Sequence, residues 1–249
     1  MKVRIQYARH GVMKFIGHLD MMRYFQKSMR RAEIDIAYSG GFSPHQIMSF
    51  ASPLGVGMES ESEYMDIEIN SHQGGRAMRD ALNAVMVPGM EILSVRALPQ
   101  GAQNAMASVA AAGYLVSFRA GKPAFVTAET LRRFYEKEQI PFVKQTKKQQ
   151  LTMDLKPAIY ELSYRSMGNE DMADCGAITE AANDVIYMLV NASSSGNIKP
   201  VMVMEAFYRD NGETLPEFAL AVTRTEIYGN RETADGKKLI PLKEAGEEF

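Results

Sequence analysis

The sequence predicts an α+β protein made of two similar halves with antiparallel sheets. Alternating polar and apolar segments are typical of half-buried strands, and segments with apolar residues three or four apart are typical of helices that pack one stripe. Both kinds of segment occur in the same order in each half of the 249 residues. This recurrence predicts two related domains joined in tandem.

The first half of the chain shows six such segments. Val3, Ile5 and Tyr7 alternate with polar residues, and the segment SEYMDIEIN shows the same period further along. The first helix has apolar residues three or four apart, and the second ends at Pro88 and Gly89. The order is strand, helix, strand, strand, helix, strand, which is the split βαβ arrangement of a ferredoxin-like fold. The predicted segments are 2–8, 17–33, 46–50, 62–70, 74–90 and 90–99.

The second half repeats this order with one extra strand. Thr127 and Thr130 predict the start of its first helix through a reciprocal cap. The predicted segments are 113–120, 127–139, 141–146, 158–166, 183–192, 199–210 and 217–229. The domain prediction is therefore a ferredoxin-like domain at 1–100, a small and Ala-rich linker at 101–112, a second ferredoxin-like domain at 113–229, and an aperiodic tail at 230–249.

Composition and spacing exclude several classes of site. The net charge of −2 gives no general reason to expect nucleic acid, so any such site depends on local clustering of basic residues. Cys175 is the single cysteine, which excludes an internal disulfide and a cysteine-ligated cluster, and fits a reducing cytoplasm. The four histidines match no compact metal motif, so we expect no metal site. The N-terminus lacks the apolar run of a signal peptide, so we expect a cytoplasmic protein without a membrane segment.

Basic residues cluster on the first predicted helix. Arg23, Lys27 and Arg30 are four and three residues apart and line one side of it, with Arg31 beside them and Lys14 upstream. We call these five residues the cationic ridge. Arginine forks suit phosphate oxygens, so the ridge predicts a phosphate-binding surface. A solvated helix face is the alternative for such a charge run.

The segment AYSGGFSPHQIMSFASPLGVGMES follows this helix and favours a second site element. Within it, Tyr38, Ser39, Gly41, Phe42 and His45 lie in a glycine-containing loop whose backbone N–H groups can converge on an anion. The segment lacks the phosphate-loop and dinucleotide-binding patterns. The sequence therefore predicts a binding loop from Tyr38 to His45 without identifying its ligand.

Two further interpretations of these residues stay open. His18, Asp20 and His45 are candidate acid and base groups, because a histidine and a carboxylate can move protons near neutral pH, as an RNA-modifying or RNA-processing enzyme would need. Phe42, Pro44 and Met48 would instead be contact residues if the loop docks a protein.

The second half carries a weaker signal for single-stranded RNA. Basic residues with aromatic neighbours can combine phosphate contact with base stacking, although lysines on strand edges also serve to block aggregation. The basic residues are Arg132, Arg133, Lys144, Lys147 and Lys148, and the aromatic residues are Tyr135 and Phe142.

A long stretch of the chain, FIGHLDMMRYFQKSMRRAEIDIAYSGGFSPHQIMSFASPLGVGMESESEYMDIEI, closely resembles a bacterial radical-SAM-associated family, a domain of unknown function found beside or fused to a radical SAM protein. The matching residues are His18, Leu19 and Asp20; Arg30, Arg31 and Ala32; Tyr38, Ser39, Gly41, Phe42, Pro44 and His45; and Ser49, Phe50, Ala51, Pro53 and Leu54. Gly17, Gly40, Ser43 and Gln46 depart from the family pattern, so we expect no role for these four side chains.

The resemblance implies a partnership with a radical SAM enzyme. One cysteine cannot supply the three thiolates of such an enzyme's cluster, so the resemblance places the iron–sulfur cluster and S-adenosylmethionine on the partner. We therefore expect a non-catalytic accessory protein that presents RNA or another phosphate-bearing substrate to a radical SAM protein.

Overall fold

The computed structural model describes residues 1–145, 150–166, 184–233 and 236–249. It divides into a first unit of residues 1–110 and 226–249 and a second unit of residues 111–225. Each unit combines helices with a mostly antiparallel sheet, so the α+β prediction is confirmed. No helix in these ranges is long and apolar enough to cross a membrane.

The first unit contains the whole cationic ridge and the predicted binding loop. Its elements are β1 (Lys2–Arg9), a 3-10 helix (Gly11–Phe15), α1 (His18–Arg31), β2 (Met48–Phe50), β3 (Glu59–Glu68), α2 (Gly75–Asn83), β4 (Met90–Ala97), α3 (Ala105–Ser108), the later part of β10 (Leu220–Thr233), β11 (Gly236–Pro241) and a 3-10 helix (Leu242–Ala245). The sheet has the order β4-β1-β3, and β2 and β10 both pair with β3. Strand β1 runs antiparallel to both β3 and β4, and β2 runs antiparallel to β3.

Helices α1 and α2 contribute to the apolar core of the first unit. The alternation in β1 and β3 places Ile5 and Met65 in this core, where they join Phe25 of α1 and Leu82 of α2. All four are fully buried. Met21, Phe25 and Met29 are buried on one side of α1, so the helix lies on the sheet with its basic residues outward.

Helix α1 ends in a Schellman motif. Ile34 N donates to Met29 O at 3.0 Å and Glu33 N donates to Arg30 O at 3.3 Å. Glu33 lies in the left-handed region with φ of 55°, a position that usually holds glycine.

The described residues of the predicted tail, 230–233 and 236–249, include a strand and a 3-10 helix. Its strand β11 pairs with β10 from Tyr228↔Pro241 to Thr233↔Gly236, and Leu242 is buried. The Leu242 carbonyl accepts a hydrogen bond from Arg4 Nη1 at 3.1 Å, which ties this segment to β1. Short segments with few apolar residues show no period, so sequence patterns missed them.

The predicted linker also contains structure. Helix α3 begins after Asn104, whose side chain accepts a hydrogen bond from Ala107 N at 2.9 Å, and Ala105 is fully buried. Strand β5 (Ala111–Phe118) begins within the predicted linker. Alanine-rich composition indicated neither feature because a four-residue helix is too short for a helical period.

The second unit has a sheet in the order β10-β5-β9-β8 and a separate β6-β7 pair. Thr127 and Thr130 form the predicted reciprocal cap at the start of α4. The elements are β5 (Ala111–Phe118), α4 (Ala128–Tyr135), β6 (Pro141–Gln145), β7 (Gln150–Asp154), a 3-10 helix (Lys156–Ala158), β8 (Ile159–Ser166), β9 (Asp184–Asn191), α5 (Pro200–Asp210) and the earlier part of β10.

Candidate functional site

Three hydrogen bonds close the predicted binding loop between Ser39 and His45. Ser39 N donates to His45 O at 2.8 Å, and His45 N donates to Ser39 Oγ at 3.1 Å. Ser39 Oγ also lies 2.9 Å from His45 Nδ1. Gly41 has a φ of 97°, which a side chain would disfavour, so this glycine is needed for the turn. His45 is thus a structural residue that fixes the neck of the loop.

The tip of the loop exposes apolar side chains. Phe42 is fully exposed and Tyr38 is half-exposed at 52%. Pro44 is exposed between Phe42 and the loop neck. An exposed aromatic ring on a closed, fixed loop contributes nothing to the core and offers its face to a ligand.

Most residues of the cationic ridge face solvent along α1. Arg23 Nη1 lies 3.2 Å from Asp20 Oδ1, and both side chains are about two-thirds exposed. Lys27 is exposed and has no hydrogen bond or ion pair within the described ranges. Arg31 donates to Ser28 Oγ at 3.4 Å and to Val85 O at 3.2 Å. The exposed positive charge is therefore only partly neutralised by nearby carboxylates.

Gln46 joins the loop to the ridge. Its Nε2 lies 3.3 Å from Gln26 O on α1 and 3.4 Å from the Tyr38 hydroxyl. Arg30 Nε donates to the same Gln26 carbonyl at 3.3 Å. The base of the loop and the Arg30 guanidinium therefore share one acceptor and lie side by side. Gln46 departs from the family pattern, and the structure gives its side chain these two contacts.

Lys14 and His18 lie apart from this arrangement. Lys14 Nζ is paired with Glu59 Oε1 at 2.9 Å, and that carboxylate is nearly buried, so Lys14 is not a free cation. The ring of His18 contacts the ring of Phe50 edge to face at 5.4 Å. Helical spacing cannot indicate either contact, because both partners come from distant segments.

The proposed acid–base residues do not contact one another within the described part of the chain. Asp20 pairs with Arg23, His45 contacts Ser39, and His18 packs on Phe50. The structure thus gives each of the three a separate neighbour. It shows no shared proton-transfer geometry among them in these ranges.

A half-buried titratable cluster at the end of β1 was not predicted from the sequence. His10 Nε2 lies 3.4 Å from Glu61 Oε2, and Glu59 is close by. The hydrogen bond with Glu61 and the charges of Glu59 and Glu91 raise the pKa of His10, against the opposing effect of burial. His10 Nδ1, Glu59 Oε2 and Glu61 Oε1 are buried without hydrogen-bond partners. Across the described ranges, no group of three or more His, Cys, Asp or Glu side chains is placed to hold a metal ion.

Tyr135 and Phe142, the two aromatic residues of the predicted RNA surface in the second half, make contacts within the fold. Phe142 is buried, with the Arg209 guanidinium 5.9 Å from its ring. The Tyr135 hydroxyl donates to Ile159 O at 3.2 Å, and Lys156 lies over its ring. Lys147 and Lys148 lie outside the described residues, as do the side chain of Lys144 and all of Cys175. The described part of this half thus gives no support to a second RNA surface.

The comparisons with known proteins establish the family of the chain. A family model described as an uncharacterized protein conserved in bacteria (DUF2344) matches residues 2–200. The chain therefore belongs to this bacterial family. The match gives no information about a radical SAM partner.

Curated proteins and solved structures give no assignment beyond the family. No curated protein matches the chain. A crystal structure of a Cbf5-Nop10-Gar1 complex is similar with a TM-score of 0.45 and 8% identity, over 90% of this chain and 48% of the other. The chain spans about half the length of that structure's chain, and a similarity this low carries no argument about fold or function.

Proposed function

We propose that this protein is a non-catalytic substrate-recognition partner of a radical SAM enzyme, and that it binds RNA or another phosphate-bearing substrate on the surface formed by the loop and the ridge. The observation that carries this proposal is the Gln46 bridge, which holds the loop with its exposed Phe42 beside Arg30. An aromatic platform next to unneutralised cations is the combination that binds single-stranded nucleic acid.

The two kinds of contact supply different parts of the binding energy. Lys27 and Arg30 would contact phosphate oxygens and make binding dependent on salt. Phe42 would stack on a base, a contact worth about 1–3 kcal/mol that tolerates any sequence. Arg23 belongs to the same surface and would exchange its exposed Asp20 contact for a phosphate, since an exposed pair of this kind contributes little.

The strand order supports a tandem ferredoxin-like fold. In the first unit, counting β1, β2, β3 and β4 as four successive strands gives the antiparallel order 4-1-3-2. Counting β5, β8, β9 and β10 gives the same order in the second unit, with β6 and β7 inserted. Helices follow the first and third strands in each set, as in a split βαβ unit. We propose on this basis that both units are ferredoxin-like.

The radical SAM partner is inferred from the family resemblance of the HLD helix and the YSGGFSPH loop. Because the chain holds a single cysteine, the partner would carry the iron–sulfur cluster and S-adenosylmethionine. This chain would then position the substrate, and the radical SAM enzyme would catalyse the reaction.

A matched pair of double variants tests the RNA-binding proposal. Lys27→Glu with Arg30→Glu changes the ridge, and Arg132→Glu with Arg133→Glu makes the same change of charge on exposed residues of α4. In fluorescence anisotropy with a single-stranded RNA, we expect the ridge variant to lose affinity by at least about tenfold and to flatten the salt dependence. The α4 variant should bind like the wild type. Absence of RNA binding at low salt, or an equal loss in both variants, would overturn the RNA part of the proposal.

Protein docking is a second candidate function, supported by exposed apolar residues at the start of α1. Val12, Phe15, Leu19 and Val56 are all more than 60% exposed. Gly57 N donates to Lys14 O at 2.7 Å, which brings the Val56 turn next to Phe15. Of the docking residues predicted from the sequence, Met48 packs against the core, whereas Phe42 and Pro44 are exposed. If Leu19→Glu abolishes capture of a purified radical SAM partner while RNA binding persists, docking lies here.

A further inference from the structure

A cavity separate from the loop and the ridge lies in the first unit, among α2, β4 and the 3-10 helix Leu242–Ala245. It encloses about 640 Å³ and contains no residue of the binding loop or the cationic ridge. Four basic side chains line it: Arg76 and Arg79 from α2, Arg96 from β4, and Lys243 from the 3-10 helix. Three separate elements thus direct positive charge at one cavity.

Carboxylates neutralise this charge only in part. Glu248 lines the cavity, but its Oε1 is 3.7 Å from Arg96 Nη2 and its side chain is 84% exposed. Arg79 donates to Asp80 Oδ1 from Nε and Nη2 at 2.9 and 2.8 Å. Arg76 and Lys243 form no ion pair with a carboxylate in the part of the chain that the structure describes. Four cationic side chains therefore line the cavity, and Glu248 is the one Asp or Glu side chain among its lining residues.

Arg96 provides an independent sign of a missing partner. Its Nη1 donates to Gly246 O at 3.4 Å, but its Nε is buried without any hydrogen-bond partner. An unpaired, buried guanidinium N–H is unfavourable unless an acceptor completes it. Arg96 also lines the cavity, where an anion can contact the accessible part of its guanidinium, which Glu248 approaches only to 3.7 Å.

The floor of the cavity is neutral and already satisfied. Ser94 Oγ donates to Gln6 Oε1 at 3.1 Å, and Gln6 Nε2 donates to Ser62 Oγ at 2.9 Å. Phe249 adds an apolar wall. The free hydrogen-bonding capacity of this cavity therefore belongs to its cations, and its volume exceeds that of a bare phosphate and suits a small organic ligand.

We propose that this cavity binds a phosphate-bearing small molecule of nucleotide size. Arg76, Arg96 and Lys243 would contact the phosphate, because arginine forks and an ammonium match its charge and its several acceptor oxygens. Phe249 would contact the organic part of the ligand. Glu248 would compete with the phosphate for Arg96 and would have to move aside.

Titration calorimetry with AMP, inorganic phosphate and adenosine tests this site. We expect AMP to bind more tightly than phosphate, and adenosine not to bind. Arg76→Gln with Lys243→Gln should weaken AMP binding by about tenfold or more, since each removes a charge-assisted hydrogen bond. Glu248→Gln should strengthen it, because it removes the competing carboxylate.

The control is Arg132→Gln with Arg133→Gln, two exposed residues of α4 that do not line the cavity, and it should leave AMP binding unchanged. An equal loss in this control would show a general effect of lost positive charge and overturn the cavity proposal. Absence of AMP binding, or adenosine binding as tightly as AMP, would also overturn it. Because RNA binding is measured with the ridge variants, either proposal can fail while the other stands.

Discussion

The first unit holds two sets of polar residues that illustrate opposite uses of charge. On the sheet, Arg4 is bidentate to Asp66 at 2.8 and 3.0 Å, and both side chains are almost fully buried. On α1, Arg23 makes one contact with Asp20 at 3.2 Å, and both side chains are largely exposed. The buried Arg–Asp pair has complete hydrogen bonds and a structural role. The exposed pair can release its partner and bind a ligand, because water already competes for both side chains.

Removing one member of the buried pair should give the largest effect. Asp66→Asn leaves the Arg4 cation buried without its counter-charge, so we expect a loss of about 3–5 kcal/mol in the free energy of unfolding. Asp20→Asn should cost less than about 1 kcal/mol. Urea denaturation measures both. Equal losses would show that burial does not determine how much each ion pair contributes to the free energy of unfolding.

Glu226 is a second carboxylate of the first unit with several hydrogen bonds, and it gives a separate test of burial. Its Oε1 accepts hydrogen bonds from Tyr64 Oη at 2.7 Å, Ser62 Oγ at 2.8 Å and Ile227 N at 2.8 Å. Glu226→Ala should cost about 1–3 kcal/mol because the buried Tyr64 hydroxyl loses its acceptor. Glu226→Gln keeps an oxygen there and should cost much less.

The pH dependence of the Glu226 variants follows from burial. Burial raises the pKa of Glu226 above its ordinary value, so the folded state binds this proton more tightly than the unfolded state does. The wild type should therefore lose stability as the pH rises from the ordinary glutamate pKa through the raised value, and Glu226→Gln should lack this loss. Unfolding curves of the wild type and Glu226→Gln at several pH values measure this difference. Equal changes in their free energies of unfolding would contradict the account.

The end of α1 gives a smaller effect of opposite sign. Glu33 has a φ of 55°, so Glu33→Gly should relieve backbone strain and stabilise the protein by about 0.5–1 kcal/mol. Glu33→Ala removes the same carboxylate but keeps the strain, so it should give no gain. A gain in both variants would assign the effect to charge.

The smallest effect concerns His10. Its pKa is raised chiefly by the hydrogen bond with Glu61, so its contribution to stability is complete below the ordinary histidine pKa and is lost as the pH rises through the raised value. We expect a loss of less than about 1 kcal/mol across that window, because both side chains are partly exposed. Thermal melts of the wild type and His10→Gln should differ at low pH and converge at high pH. Curves that stay parallel would show that His10 does not titrate in this way.

Sequence patterns predicted the regular elements well. The period of β1 and β3, the stripe of α1 and the Thr127 cap follow from contacts within a few residues, which a single sequence shows directly. The predicted strands and helices occur in the predicted order in the described residues, but β7, α3 and β11 were not predicted.

Long-range contacts were not predictable in the same way. Lys14 meets Glu59, Gln46 meets Gln26, and Arg4 meets the Leu242 carbonyl, and in each case the partner comes from a distant or aperiodic segment. The candidate site was therefore predicted as a set of residues, while the contact that assembles it came only from the structure. The cavity lined by Arg96 was missed for the same reason.

Phe42→Ala is the most direct measurement of the central claim that the fixed loop beside α1 is a binding surface. Because Phe42 is fully exposed, the variant should unfold at the same urea concentration as the wild type. Its affinity for single-stranded RNA should fall by an amount corresponding to about 1–3 kcal/mol. Unchanged RNA affinity in a variant of unchanged stability would contradict the account.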